Sequence, residues 1–360
     1  MNGPIPVTIL TGFLGAGKTT LLNRLLRDPA LADTAVIVNE FGEVGIDHLL
    51  VEQASEGVIE LSDGCLCCTV RGELVDTLAD LLERLQTGRI AALKRIVIET
   101  TGLADPVPVL QSVMGHPVLA HALRLDGVVT LVDAVNGEAT LAAHEEARRQ
   151  LAVADRIVVT KRDLAGDAAV DAAIRRLNGG APILEVEGLT AAAILDAGLW
   201  NPATKSADVA AWLGEAHDHH DDHRHGDHHH HHHGHGSTIS SFALVHDAPL
   251  AFSTVEMFLD LLRSTSGDNL LRMKGIVEVA EDPARPLVIH AVQKIVHPPA
   301  RLPAWPAGPR GTRLVLIGDG LDEAYVRRLF DAFTGAPRID GPDRAAMTDN
   351  PLAIPGLARR

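Results

Sequence analysis

Gly12-Phe13-Leu14-Gly15-Ala16-Gly17-Lys18-Thr19 stands between a short apolar run, Val7 to Leu10, and an apolar-periodic segment, Thr20 to Arg27. The order is strand, loop, helix, the context that the phosphate-binding pattern G-x-x-x-x-G-K-[ST] requires. Gly12, Gly15 and Gly17, with the small Ala16, let the backbone wrap an anion closely. Successive N–H groups and the start of the next helix then point at a β-phosphate. Lys18 is expected to neutralise the β and γ oxygens and the Thr19 hydroxyl to hold Mg²⁺. Together with Thr20 these are the candidate nucleotide-binding residues. A glycine-rich turn with no ligand is the competing reading, and a Lys and a Thr both in register weigh against it.

Outward from this loop, Ile96-Val97-Ile98-Glu99 reads as a buried strand ending in an acid, followed by Thr100-Thr101-Gly102. An acid there contacts Mg²⁺ directly or through water, and the Gly102 backbone is placed to sense a γ-phosphate, which makes Glu99 a catalytic candidate beside Lys18 and Thr19. Thr160-Lys161-Arg162-Asp163 closes another apolar strand and has the N/T-K-x-D form. The Asp163 carboxylate can accept from guanine N1–H and N2–H₂, which adenine lacks, while the Lys161 stem can lie along the purine. Thr160 stands where Asn is commoner, so one contact to the base is expected to be weaker.

Two further segments fall between the loop and Glu99. Asn39 to Asp47 carries Glu40 and Glu43 among glycines, as a mobile acidic loop able to touch a cation would. All three cysteines of the chain, Cys65, Cys67 and Cys68, lie in Ser62 to Thr69. Thiolates so crowded cannot staple a fold, but they suit Zn²⁺ or another borderline-to-soft ion, with Glu40, Glu43 or water as the fourth ligand. A redox pair and three buried thiols are the alternatives, and the polar Ser-Asp-Gly turn beside them argues against burial.

The chain has 360 residues, 46% of them apolar, and a formal charge of −15. Two domains are expected from the length. The acidic balance argues against a nucleic-acid face. No apolar run approaches the roughly 18 residues of a membrane span, and no secretion signal is legible at the N-terminus, so a cytoplasmic protein is expected. Residues 1–200 alternate short Val/Ile-rich runs with helix-period segments. Strands are expected at Val7–Leu10, Ala35–Val38, Arg95–Glu99, Gly127–Val132, Arg156–Thr160 and Pro182–Val186, and helices at Thr19–Arg27, Glu73–Gln86, Ala139–Ala154 and Asp167–Leu177. This is an α/β nucleotide-binding domain with a mostly parallel sheet. Residues 201–238 form a linker rich in His and Asp, with the run His217 to His235, unable to build a core and able to bind transition metals. Residues 239–340 read as a smaller α+β domain, with strands at Ser240–Val245, Pro286–Val296 and Arg313–Ile317 and helices at Thr254–Arg263 and Asp322–Phe333; residues 341–360 read as a tail. His290 and His297 read as ordinary strand and loop residues.

The five motifs, Thr11 to Thr20, Asn39 to Glu43, Gly64 to Cys68, Glu99 to Gly102 and Thr160 to Asp163, occur in the order of the CobW-like P-loop GTPases, and the segment after Ser237 resembles the CobW C-terminal domain. The resemblance implies a GTP-hydrolysing metallochaperone or metal insertase, handling zinc or, in the cobalamin branch, cobalt. It implies that Cys65, Cys67 and Cys68, assisted by Glu40 or Glu43, bind metal in step with the GTP site, with a client metalloprotein as partner and a homodimer as a possible assembly. A His-rich storage protein with a vestigial loop, and a small-molecule kinase, are the readings from other classes. No arginine finger is legible, so slow intrinsic turnover is expected.

Overall fold

A computed structural model describes residues 3–39, 58–61, 69–165, 168–195, 238–306 and 310–335. The acidic residues Glu40 and Glu43, the cysteines Cys65, Cys67 and Cys68, the His217–His235 run and the tail all lie outside the described residues.

The first sheet is built from β1 (Ile5–Gly12), β2 (Thr34–Asn39), β3 (Val58–Leu61), β4 (Arg95–Glu99), β5 (Leu123–Asp133), β6 (Arg156–Thr160) and β7 (Ile183–Glu185). Its order is β3-β2-β4-β1-β5-β6-β7, and every pairing is parallel. Strands covered on both faces must be apolar throughout, which is why β1, β4 and β6 read as continuous Val/Ile/Thr runs. Helices α1 (Lys18–Leu25), α2 (Thr69–Gln86), α3 (Val107–Gly115), α4 (Pro117–Ala122), α5 (Gly137–Ala143), α6 (Glu145–Ala152), α7 (Ala168–Leu177) and α8 (Ala191–Ile194) fill the crossovers. The mostly parallel α/β sheet expected from the alternation is what forms. Strand β3 and helices α3 and α4 were not legible. The single helix expected over Ala139–Ala154 is two, because His144 takes an extended conformation at φ −116°, ψ 124°, ending α5 and starting α6. Its ring sits 4.5 Å from that of Phe13 in the glycine-rich loop.

The second sheet comprises β8 (Ile239–His246), β9 (Leu270–Val277), β10 (Leu287–Val292), β11 (Ile295–Val296), β12 (Ala300–Arg301) and β13 (Thr312–Asp319), in the order β11-β10-β9-β13-β8 with β12 paired to β10. All its pairs are antiparallel. Helices α9 (Phe252–Ser266) and α10 (Glu323–Thr334) cover one face, where Phe258 meets Phe330 edge-on at 5.3 Å. The strand expected over Pro286–Val296 is a hairpin, folded at Gln293 with φ 50°. The central strand β9 was missed outright, because Arg272, Lys274 and Gly275 interrupt its apolar pattern.

Those two cations explain the other face. Period-two alternation sets Arg272 and Lys274 opposite Met273 and Val277, pointing at the first domain. There Asp155 accepts Arg272 Nη1 at 2.7 Å and Lys274 Nζ at 3.2 Å, with the Val128 amide at 2.9 Å on the same carboxylate. Burial would raise the Asp155 carboxyl, but the two cations and the amide outweigh it and hold it below the ordinary value. Around this charge cluster Leu271, Val292 and Ile317 join the apolar core of the first domain, and Gln111 bonds Gln293 at 2.5 Å. Among the described residues no helix is long and apolar enough to cross a membrane.

Candidate functional site

The glycine-rich loop joins β1 to α1 at the carboxyl edge of the sheet, where ligands of open α/β folds sit. Its glycines are required by geometry. Gly15 and Gly17 hold φ 73° and 89°, and a Cβ on Gly12 would fall 2.5 Å from the Leu131 carbonyl oxygen. Gly17 caps α1, so the helix starts at Lys18 with no acidic residue in its first turn. The Lys18 ammonium donates to the Gly12 carbonyl at 2.9 Å and the Phe13 carbonyl at 3.4 Å. The Thr19 hydroxyl donates to Glu99 Oε1 at 2.7 Å, although 80 positions separate them. Glu99 is buried at the end of β4, next to β1 in the sheet. Thr20 lies exposed in the first turn of α1.

Gly102 packs directly on the loop. A Cβ there would fall 2.6 Å from Leu14 N and 2.7 Å from Leu14 Cα, so the chain after β4 and the chain after β1 touch backbone to backbone. A hydrogen bond between the Thr100 and Thr11 hydroxyls, 2.7 Å, ties their roots. The buried Gln150 of α6 holds the far side, its amide nitrogen donating to the Gly102 carbonyl at 3.1 Å and the Ala104 carbonyl at 2.9 Å. Next to it Arg149 spans Asp105 at 3.1 Å and Asp319 of the second domain at 3.0 Å. No motif announced Arg149 or Gln150; they read as members of an amphipathic helix.

On the other flank Thr160 differs from expectation. Its hydroxyl donates to the Ala16 carbonyl at 2.9 Å, so it fastens the loop instead of facing outward to a base. Lys161 takes the left-handed conformation, φ 59°, and its ammonium donates to Asp133 Oδ2 at 2.7 Å. Burial alone would raise the Asp133 carboxyl; the bonds from Lys161, the Val135 amide and Asn136 prevail and hold it below the ordinary value. Asp163 is exposed on the short 3₁₀ turn Arg162–Leu164. A cavity of about 150 Å³ lies alongside, bounded by Phe13, Ala16, Asp133 and Lys161.

The arrangement thus collects a ring of loop amides, one ammonium, a hydroxyl–carboxylate pair suited to a hard cation and a second carboxylate on a turn. Asn39 and Leu61, the last residues of β2 and β3, end at the same edge as Glu99. The segments bearing Glu40 and Glu43, and then the cysteines, follow directly on them in the chain.

Known proteins resemble this chain over most of its length. Residues 6–185 match the model described as "CobW/HypB/UreG, nucleotide-binding domain", and residues 239–334 match "Cobalamin synthesis protein cobW C-terminal domain". The chain is 37% identical over 331 residues to the zinc chaperone YjiA of Escherichia coli strain K12, covering 91% of this chain and 98% of YjiA. It is 33% identical over 368 residues to the zinc chaperone CobW of Sinorhizobium sp, covering 92% and 98%. The crystal structure of Zn(II)-bound YjiA GTPase from E. coli superposes with a TM-score of 0.63 at 31% identity, covering 92% of this chain and 99% of that one. The chain therefore belongs to the CobW/HypB/UreG family, its nucleotide-binding domain followed by the CobW C-terminal domain.

Proposed function

We propose that the chain hydrolyses GTP and uses the state of the nucleotide to govern the capture and hand-over of a divalent transition metal, zinc in the first place and cobalt as the alternative, to a client metalloprotein. The observation that carries the reading is the 2.7 Å bond from Thr19 to Glu99, which sets two oxygen donors beside the Lys18 ammonium at the mouth of the loop. The similarity along nearly the whole chain to proteins named zinc chaperones supports the choice of metal.

In this reading Lys18 leaves the Gly12 and Phe13 carbonyls for the β and γ oxygens, and the amides of Gly15, Ala16 and Gly17 surround the β-phosphate. Mg²⁺, held by Thr19 and Glu99, would supply further charge neutralisation on the same oxygens. Asp163 selects guanine through its two N–H donors, the Lys161 stem covers the base, and Thr160 acts by steadying the loop through Ala16. Gly102 senses the γ-phosphate because it already rests on Leu14. Cys65, Cys67 and Cys68, with Glu40 or Glu43, hold the cargo metal. Glu40 and Glu43 follow β2, which pairs with the strand that ends in Glu99, and the cysteines follow β3, one strand further out, so the segments that hold metal and the segment that reads the γ-phosphate start from one side of the same sheet edge.

Phosphate release from GTP, measured with and without Zn²⁺, tests this. Lys18→Ala is expected to lose roughly 10²–10³ in turnover. The triple variant Cys65→Ser, Cys67→Ser, Cys68→Ser is expected to keep GTP affinity and lose the response to zinc. A zinc response that survives the triple change defeats the coupling. Zinc storage would survive Lys18→Ala and zinc delivery would not, so a zinc function untouched by that change favours plain storage by the histidine run.

A further inference from the structure

Besides the Asp155 cluster and the shared apolar core, two ties join the second domain to the segment that follows Glu99. The first is Arg149. Successive residues of an α-helix project about 100° apart. On α6 Gln150 therefore turns inward to the Gly102 and Ala104 carbonyls while Arg149, beside it, reaches sideways. Its guanidinium forks: Nη1 lies 3.1 Å from Asp105 Oδ2, and Nη2 lies 3.0 Å from Asp319 Oδ2 at the end of β13. A further pair with Glu145, at 2.9 Å, is an exposed one within the same helix and contributes little. Asp319 gives its other oxygen to the Thr238 hydroxyl, just ahead of β8.

The second tie runs along α3. Asp105 Oδ1 accepts the Val107 amide at 2.9 Å in the first turn of that helix, while Oδ2 holds Arg149. Val107, Leu110, Val113 and Met114 bury α3 in the first core. Its far end meets the β10–β11 hairpin. Gln111 donates to Gln293, and a Cβ on Gly115 would fall 2.7 Å from Ile295 Cδ1.

The stretch from Glu99 to Gly115 is thus fastened along its length: Glu99 to Thr19, Thr100 to Thr11, Gly102 to Leu14 and Gln150, Asp105 to Arg149. We propose that this stretch relays the state of the nucleotide to the second domain, with Arg149 the positioning residue that keeps Gly102 against the loop by holding Asp105 and Asp319 together. The inference rests on the GTP reading and adds to it a reader of the nucleotide outside the first domain. Coupling of this kind is reciprocal: if a γ-phosphate at Gly102 steadies Asp319, then Asp319 strengthens binding of the γ-phosphate. An Arg149 that only reinforced the seam would serve every nucleotide alike.

The test is the affinity of the full chain for GDP and for a GTP analogue with nitrogen in the β–γ bridge, by fluorescent-nucleotide titration, beside the urea midpoint. Asp319→Asn leaves Arg149 with Asp105 and Glu145. Arg149→Lys keeps the charge but replaces the fork with a single point, which cannot span Asp105 and Asp319. Each change is expected to weaken the analogue about fivefold or more while GDP stays within about twofold, and the two together are expected to cost no more than one. Glu323→Gln, at an exposed pair on α10, is expected to alter neither affinity. Equal loss of both nucleotides with a lower urea midpoint confines Arg149 to the seam and overturns the proposal, as does an analogue affinity that neither variant changes. The amides of Asp319 and Gly320 donate to the Asn269 and Thr238 carbonyls. Their hydrogen exchange is expected to be slower with the analogue than with GDP in the parent, and equal with both in Arg149→Lys. Exchange in the parent that ignores the nucleotide overturns the relay too. A parent that binds neither nucleotide defeats the GTP reading and the relay with it, whereas binding without these selective effects defeats the relay alone.

Discussion

Gln150 shows how much one side chain can do without any motif. Its amide satisfies two carbonyls, Gly102 and Ala104, of the segment that follows Glu99, and it is almost fully enclosed. Gln150→Leu keeps the volume and leaves both acceptors buried without this donor, a cost of about 2 kcal/mol. Urea unfolding should show that loss, and GTP turnover should fall with it, because the segment touching the loop is no longer pinned. Unchanged stability would mean that water replaces the amide. At this scale the sequence was informative where backbone geometry demands a residue type, as at Gly12, Gly15 and Gly17. It was silent where a long-range partner sets the role: Thr160 looked like a base contact and instead fastens Ala16, a bond between residues 144 positions apart.

Among elements, the chain after β1 and the chain after β4 form one nested unit. Gly102→Ala puts a methyl group within 2.6 Å of Leu14 N, and that neighbour is backbone, so the two segments must part. GTP affinity is expected to drop by roughly tenfold or more, measured by fluorescent-nucleotide titration, with the far-UV spectrum unchanged. Affinity equal to the parent would show that the segments need not touch. The strands of the first sheet were legible because burial on both faces leaves an unbroken apolar run. The helix break at His144 was not, since neither Gly nor Pro marks it and its ring rests on the distant Phe13. Strand β9 was hidden for a related reason: a strand whose outer face meets another domain carries Arg272 and Lys274 where an apolar pattern was sought.

The whole molecule responds to acid through the seam between its domains. His290 faces Arg272, Lys274, Asp155 and His297, and its folded value of about 3 lies below the 6.5 of an unfolded chain. The unfolded state therefore takes up a proton that the folded state refuses, and stability falls as pH drops from 6.5 toward 3, by at most about 1.4 kcal/mol per pH unit. His297, lowered in the same sense, adds to the slope. Asp155 is lowered as a carboxylate, so its contribution is present above about pH 4 and disappears only below it. Urea midpoints between roughly pH 4.5 and 6.5 should then slope with pH, and His290→Gln should flatten them. A parallel slope in that variant would move the cause elsewhere. Two domains were legible from length and composition, but their joint was not, because Asp155 and its partners stand 117 and 119 positions apart and only the folded sheets bring them together.

That joint is also unevenly insured against error. Losing Arg272 still leaves Asp155 with Lys274, whereas losing Asp155 takes the shared carboxylate from two enclosed cations at once. Random genetic damage to this charge cluster is thus better forgiven on the side that brings two positive groups than on the side that brings their one shared carboxylate, so within the cluster a single codon of the first domain holds the greater risk.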